Sequence, residues 1–351
     1  MIKKHAKQEQ KVDNGGVAIQ AAGNVIVNGV SYSEVKQISL DVCRNYLEDF
    51  ASKGRDKATA RVEEITDKFL VRLKNENPDG FRKAEDPDFQ YALLSVQKEY
   101  ARSGDENLGD LLVDILVDRS KQDIRNILQI VLNESLFTAP KLTKEQLAAL
   151  SIIFLFRYTQ NHSISNFEKL GNYFDKHVLP IIESVVKNLA CYQHLQYCGC
   201  GSMSTGSVSL ERILKDYYQG LFVKGFDNDI IIDQKLDSER NKEFFITCLN
   251  DSTKIQVNAL TINVLNGLLE RKNVVTTDRE KIIELFNSNR MSDPEIMEKC
   301  ISCRPYISTL FDVWNNSQMK YFILTSVGIA IGHANLRRFL DEEIDLKIWI
   351  N

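Results

Sequence analysis

The chain has 351 residues, 43% of them hydrophobic and 26% charged, which is enough apolar material for a packed interior and more length than one core usually takes. A formal net charge of −4 excludes the broad electropositive footprint of a general nucleic-acid binder. No apolar run has the length of a bilayer span, since the longest, residues 152–156, is stopped by Arg157.

The start Met-Ile-Lys-Lys lacks the apolar core of a secretory signal, and seven cysteines without scaffold spacing fit reduced thiols, so a cytoplasmic location is expected. Residues 1–14, with Lys3, Lys4, His5, Lys7 and Lys11, read as a disordered basic tail. Residues 15–31 then read as a β-hairpin, two minimal strands carrying Val17 and Ile19 on one and Val25 and Val27 on the other. A lone hairpin does not hold together in water, so these residues are expected to pair with other copies of the chain.

Residues 32–198 read as a multi-helix domain. Val35, Ile38, Val42, Tyr46 and Phe50 form one stripe; Val62, Ile65, Phe69 and Leu73 form the next, with Gly54 a candidate break between them. Asp86-Pro87 opens a helix with an inward face of Phe89, Leu93, Val96 and Tyr100, closed by Ser103-Gly104. Leu108, Leu111, Leu112 and Ile115, then Ile124, Ile127, Leu128 and Val131, predict one or two more. Thr143 and Gln146 make a capping box, and Ser165 with Glu168 a second one that starts a long helix kinked at Pro180.

The Gly- and Ser-rich residues 199–209 read as a linker, and 210–351 as a small α+β C-terminal domain. Ile230–Ile232 and Lys254–Val257 are expected strands; Thr277 to Glu280 and Ser292 to Glu295 are expected capping boxes. Strand, Thr325-capped helix and strand (Met319–Leu324, then alternating Ile344, Leu346, Ile348 and Ile350) give a winged-helix-like order near 292–351. The fold class is therefore mainly α, with the short N-terminal β-hairpin, the helical central domain and this α+β end.

Residues 94–119, running from Leu94-Ser95-Val96 to Val117-Asp118-Arg119, with Ala139-Pro140-Lys141-Leu142-Thr143 behind them, resemble an uncharacterised family of bacterial proteins. That family begins with an Ile-Gln-Ala-Gly-like strand motif, matched by Ile19–Asn24, and ends in a Leu-Thr-x-x-Gly turn, matched by Leu324–Gly328. The overall pattern is more remotely similar to the Abi-alpha abortive-infection proteins, which implies a part in phage defence and brings no catalytic residues with it.

Asp110, Asp114 and Asp118 stack at spacing four on one helix face, where like charges repel and something must offset them. With Arg102, Asp105 and Arg119 they make a candidate polar binding site; the alternative is a solvated face neutralised by Arg102, Arg119, Lys121 or Arg125. Cys198, Cys200, Cys300 and Cys303 are a lesser candidate for zinc, and packed or bystander thiols are the plainer reading. His162, His177 and His333 read as packed or capping side chains, with no nucleophile motif beside them.

No catalytic residue, metal or cofactor is assigned. The expected function is a non-enzymatic phage-defence protein whose partners are copies of itself and an unidentified protein. Two alternatives are a DNA-binding regulator, disfavoured because 277–351 holds more Asp and Glu than Lys and Arg, and a metal-dependent enzyme built on the aspartate row.

Overall fold

The computed structural model describes residues 31–47, 52–236, 239–338 and 345–350. The basic tail and the hairpin residues Val17, Ile19, Val25 and Val27 lie outside them. What is described is mainly helical, with two small antiparallel sheets.

The first five helices are α1 (Tyr32–Leu47), α2 (Ser52–Glu76), α3 (Pro87–Ser103), α4 (Glu106–Ser120) and α5 (Ile127–Thr138). Gly54 does not interrupt α2. The start of α3 forms as its residues predict: Asp86 accepts from the backbone N–H groups of Asp88 and Phe89 at 2.8 and 3.2 Å, and Gly104 ends the helix at φ 60°. Ile124 and Ile127, expected inside, stand exposed.

Three helices follow, α6 (Lys144–Tyr158), α7 (Phe167–His177) and α8 (Leu189–Tyr197). The capping box of Thr143 and Gln146 is present. The one expected at Ser165 moves by a residue, because the Asn166 amide oxygen reaches Lys169 N at 2.8 Å and caps α7 itself. Since α7 stops at His177, the long helix kinked at Pro180 does not form.

Beyond β1 (Gly201–Met203) come α9 (Leu210–Tyr217), α10 (Asp229–Asp233), α11 (Glu239–Lys242), β2 (Phe245–Thr247), β3 (Ile255–Val257), α12 (Ile262–Arg271) and α13 (Thr276–Asn287). The expected strand at Ile230–Ile232 is the helical turn α10. Its backbone is satisfied locally, with Gln234 N and Leu236 N donating to the Ile230 and Ile231 carbonyls, and only Ile231 is buried. The strand at 255–257 does form and pairs Val257 with Phe245. Thr277 caps nothing, because α13 begins one residue earlier, behind Val275.

The described chain closes with α14 (Asp293–Cys303), α15 (Ile307–Asn315), β4 (Phe322–Leu324), α16 (Ser326–Arg337) and a tight turn over Leu346–Ile348. Ser292 and Glu295 complete their capping box, and Thr325 caps α16 by accepting from Gly328 N at 3.2 Å. The terminal strand expected over 344–350 is absent from 345–350. Asp345 accepts from Lys347 N at 2.9 Å, Leu346 and Ile350 are the buried pair at helical spacing, and Ile348 is 65% exposed. Without that strand the winged-helix order has no hairpin among the described residues.

Residues 199–209 are not a spacer. There β1 pairs antiparallel with β4, Gly201 opposite Leu324 and Met203 opposite Phe322. Glycine is required by contact: a Cβ on Gly201 would collide with the Phe322 ring, and one on Gly328 with the Cys200 carbonyl.

The main core runs from Val35 to Ile350, so the terminal helices share one interior with the helices of 32–198. Two groups of buried residues separate from it: a small one of Cys43, Ala58, Val62 and Ala101 on α1, α2 and α3, and one within 226–286, where Phe226, Phe244, Val257, Leu265, Ile282 and Phe286 make a second core. At the centre of the main core α16 packs along α6 and also touches α5 and α4. Ala330, Gly332 and Ala334 allow that approach, and Asn335 donates to Ser151 Oγ at 2.8 Å across the seam.

Candidate functional site

The aspartate row lies along α4, and each carboxylate receives a cation. Asp110 pairs with Lys68 at 3.2 Å and Arg338 at 3.5 Å; Asp114 with Arg72 at 3.4 Å; Asp118 with Lys121 at 3.1 Å and Arg337 at 3.0 Å. Lys68 and Arg72 stand four apart on α2, facing the same stretch of α4. Arg337 and Arg338 come from the end of α16, where the helix dipole itself favours positive charge. Arg337 reaches over two turns of the row, since its other terminal nitrogen donates to the Asp114 carbonyl at 3.4 Å.

Asp114 is only 3% exposed, and burial raises its pKa against the pull of Arg72 and Arg337. Burial likewise opposes the charge on Arg337, yet Asp118 and Asp114 outweigh it and hold this guanidinium above its ordinary value. Such mutual dependence makes the cluster a joint between α2, α4 and α16. Beside it opens a cleft of about 370 Å³ lined by Glu76, Asp118, Lys121, Arg337 and Lys347 among others.

The other members of the expected polar site go elsewhere. Asp105 caps α4 through Leu108 N at 3.1 Å, and Arg102 pairs with Glu99 at 2.7 Å on the surface. Arg119 is buried away from the row, bonded to Asp88 and to Asn133 Oδ1, the latter at 2.8 Å. The proposed neutralisers Arg102 and Arg119 thus serve other carboxylates. Of those named, Lys121 alone pairs with the row, joined by Lys68, Arg72, Arg337 and Arg338 from distant segments.

All seven cysteines are free. Cys198, at the end of α8, places Sγ 3.6 Å from His194 Nε2, and His194 in turn meets the Gln146 side chain at 2.9 Å. Cys200 and Cys300 are buried, which pushes the Cys200 thiol up to about 12 and raises the Cys300 thiol as well. The two pairs stand on different packing units: α14 rests on α7, α9 and α15, whereas α8 rests on α6 and β1. Among the described residues no group of His, Cys, Asp and Glu is placed to hold a metal ion.

A second polar region escaped the sequence reading. His162, His177 and His333, widely separated along the chain, line one cavity of about 170 Å³ together with Phe154, Tyr173 and Leu336. Only the spacing of Tyr173 and His177, four apart on α7, hinted at any part of it.

A protein-family model matches residues 29–350, a span that includes the row, the cleft and the histidine cavity. The chain belongs to that family. It is an uncharacterised one. The matched span takes in Leu324–Gly328 and begins beyond Ile19–Asn24, so the residues expected to form the hairpin strands stand outside the part by which membership is shown. No curated protein and no solved structure matches the chain. Among the described residues no helix is long and apolar enough to cross a membrane.

Proposed function

We propose that this chain is a non-enzymatic bacterial phage-defence protein of the abortive-infection type, acting through homo-oligomerisation by residues 15–31 and through protein contacts. The observation that supports this best is the occupation of the aspartate row. The sequence's leading candidate for metal chemistry has each carboxylate matched by Lys or Arg. Carboxylates held in this way join helices, and a divalent cation would have to displace those partners to bind them. The defence reading itself draws on the resemblance of 94–119 and 139–143 to a bacterial family and on the pattern shared with the Abi-alpha proteins.

Plaque counts on a bacterial host test the reading, comparing wild type, Asp114→Asn and the double variant Ile19→Asp, Val25→Asp. Protection is expected from wild type and from Asp114→Asn, and its loss from the double variant, whose new charges sit on both strand faces. Loss in Asp114→Asn alone would favour the enzyme reading, and no protection by wild type would remove the defence assignment.

A further inference from the structure

The histidine cavity lies between the end of α6, the loop that follows it, α7 and α16. Phe154, Leu155, Tyr173 and Leu336 form its apolar wall, all of them buried. A cavity of about 150 Å³ with apolar walls takes one benzene ring. The space of about 170 Å³ here therefore fits a single aromatic ring with a small substituent.

The wall is already organised for ring contacts. Phe154 meets the His333 ring edge-on at 5.7 Å, and Tyr173 meets His177 at 4.6 Å in the same manner. His177 also carries a buried Nδ1 with no hydrogen-bond partner among the described residues. Burial, helped by Lys176, holds this imidazole neutral by lowering its pKa to about 4. Lys176, a cation, and His162, whose ring N–H can donate, also line the cavity and remain exposed. An apolar one-ring slot with donors at its mouth favours a ligand that is aromatic at one end and anionic at the other.

We propose that this cavity binds a small, single-ring aromatic carboxylate, its ring against Phe154, Tyr173 and Leu336 and its carboxylate at the mouth beside Lys176 and His162. An aliphatic acid would leave the wall uncovered, and a neutral aromatic would forgo the charge-assisted contacts at the mouth. This inference is independent of the oligomerisation reading, since none of these residues lies in 15–31.

Calorimetric titration of the full-length protein with benzoate, with acetate and benzyl alcohol alongside, tests the proposal. Leu336→Trp fills the cavity from α16, and Lys176→Glu reverses a charge at an exposed position. The expected result is saturable one-to-one binding of benzoate, none of acetate, and loss of benzoate binding in Leu336→Trp with its helical circular dichroism intact. Lys176→Glu should weaken benzoate about tenfold while leaving benzyl alcohol within about twofold. Should Leu336→Trp fail to fold, the Lys176→Glu comparison decides alone. Absence of saturable benzoate binding overturns the proposal, as does benzoate binding that persists in folded Leu336→Trp or equal weakening of benzoate and benzyl alcohol in Lys176→Glu.

Discussion

Two polar regions border α16, and they settle the cost of burial in opposite ways. At the helix end, Arg337 is drawn into the interior and keeps its charge by pairing with Asp118, its other terminal nitrogen donating to the Asp114 carbonyl. In the cavity that Leu336 and His333 help to line, His177 has no partner for Nδ1 among the described residues and gives up its charge instead. The first region should therefore respond to loss of a partner, and the second to acid.

The largest effect is expected at Arg337. Arg337→Ala leaves Asp118 without its α16 partner and takes from buried Asp114 one of the cations that offset its burial, a change of the kind that costs about 3–5 kcal/mol. Urea unfolding at neutral pH measures it. A loss under about 1 kcal/mol would show that water reaches the row and that the joint is not what holds α16 in place.

Acid sharpens the other half of the comparison. The pKa of His177 lies at about 4 in the folded chain against about 6.5 in an unfolded one. Protons therefore favour the unfolded state, so this group's contribution is complete above pH ~6.5 and is lost as pH falls toward 4. The size is about 2–3 kcal/mol across that window, below the full linkage value of about 3.4 kcal/mol because solvent screens the partly exposed ring. His177→Phe should remove that part of the acid loss, and an identical pH profile for the two proteins would contradict the assignment.

Asp114 has the opposite sign. Its pKa is raised, so its contribution is most favourable below the usual carboxylate value of about 3.9 and declines as pH rises through the folded value. Asp114→Asn should flatten that decline while changing neutral-pH stability by only about 1 kcal/mol, since burial and pairing nearly offset each other. The smallest effect belongs to Arg102. Its pair with Glu99 is exposed, and Arg102→Ala should move the unfolding midpoint by less than about 0.5 kcal/mol in equivalent free energy.

Much of the helical frame was legible because caps are local. Asp86-Pro87, Thr143 with Gln146, Ser292 with Glu295, and Thr325 act within a few residues, and each stands where its neighbours imply. The errors arose where a partner elsewhere in the chain decides. The glycines at 199–209 look flexible until β4 and the Phe322 ring are beside them. The alternation of 344–350 looks like a strand, but the buried face is set by Leu346 and Ile350, and Trp349 donates to the Tyr158 carbonyl at 2.8 Å. The row was visible as a spacing of four. Its real neutralisers were hidden because Lys68, Arg72, Arg337 and Arg338 come from α2 and α16. The histidine cavity joins three distant segments and left almost no trace in the sequence.

If the polar machinery of the row serves the fold, action by assembly falls to residues 15–31. Light scattering of the full-length chain and of its Ile19→Asp, Val25→Asp variant at matched concentrations measures this directly. The account predicts a wild-type molar mass several times that of one chain, and a smaller mass for the variant with unchanged helical circular dichroism. A wild-type mass equal to one chain, or an equal mass for both proteins, would contradict it.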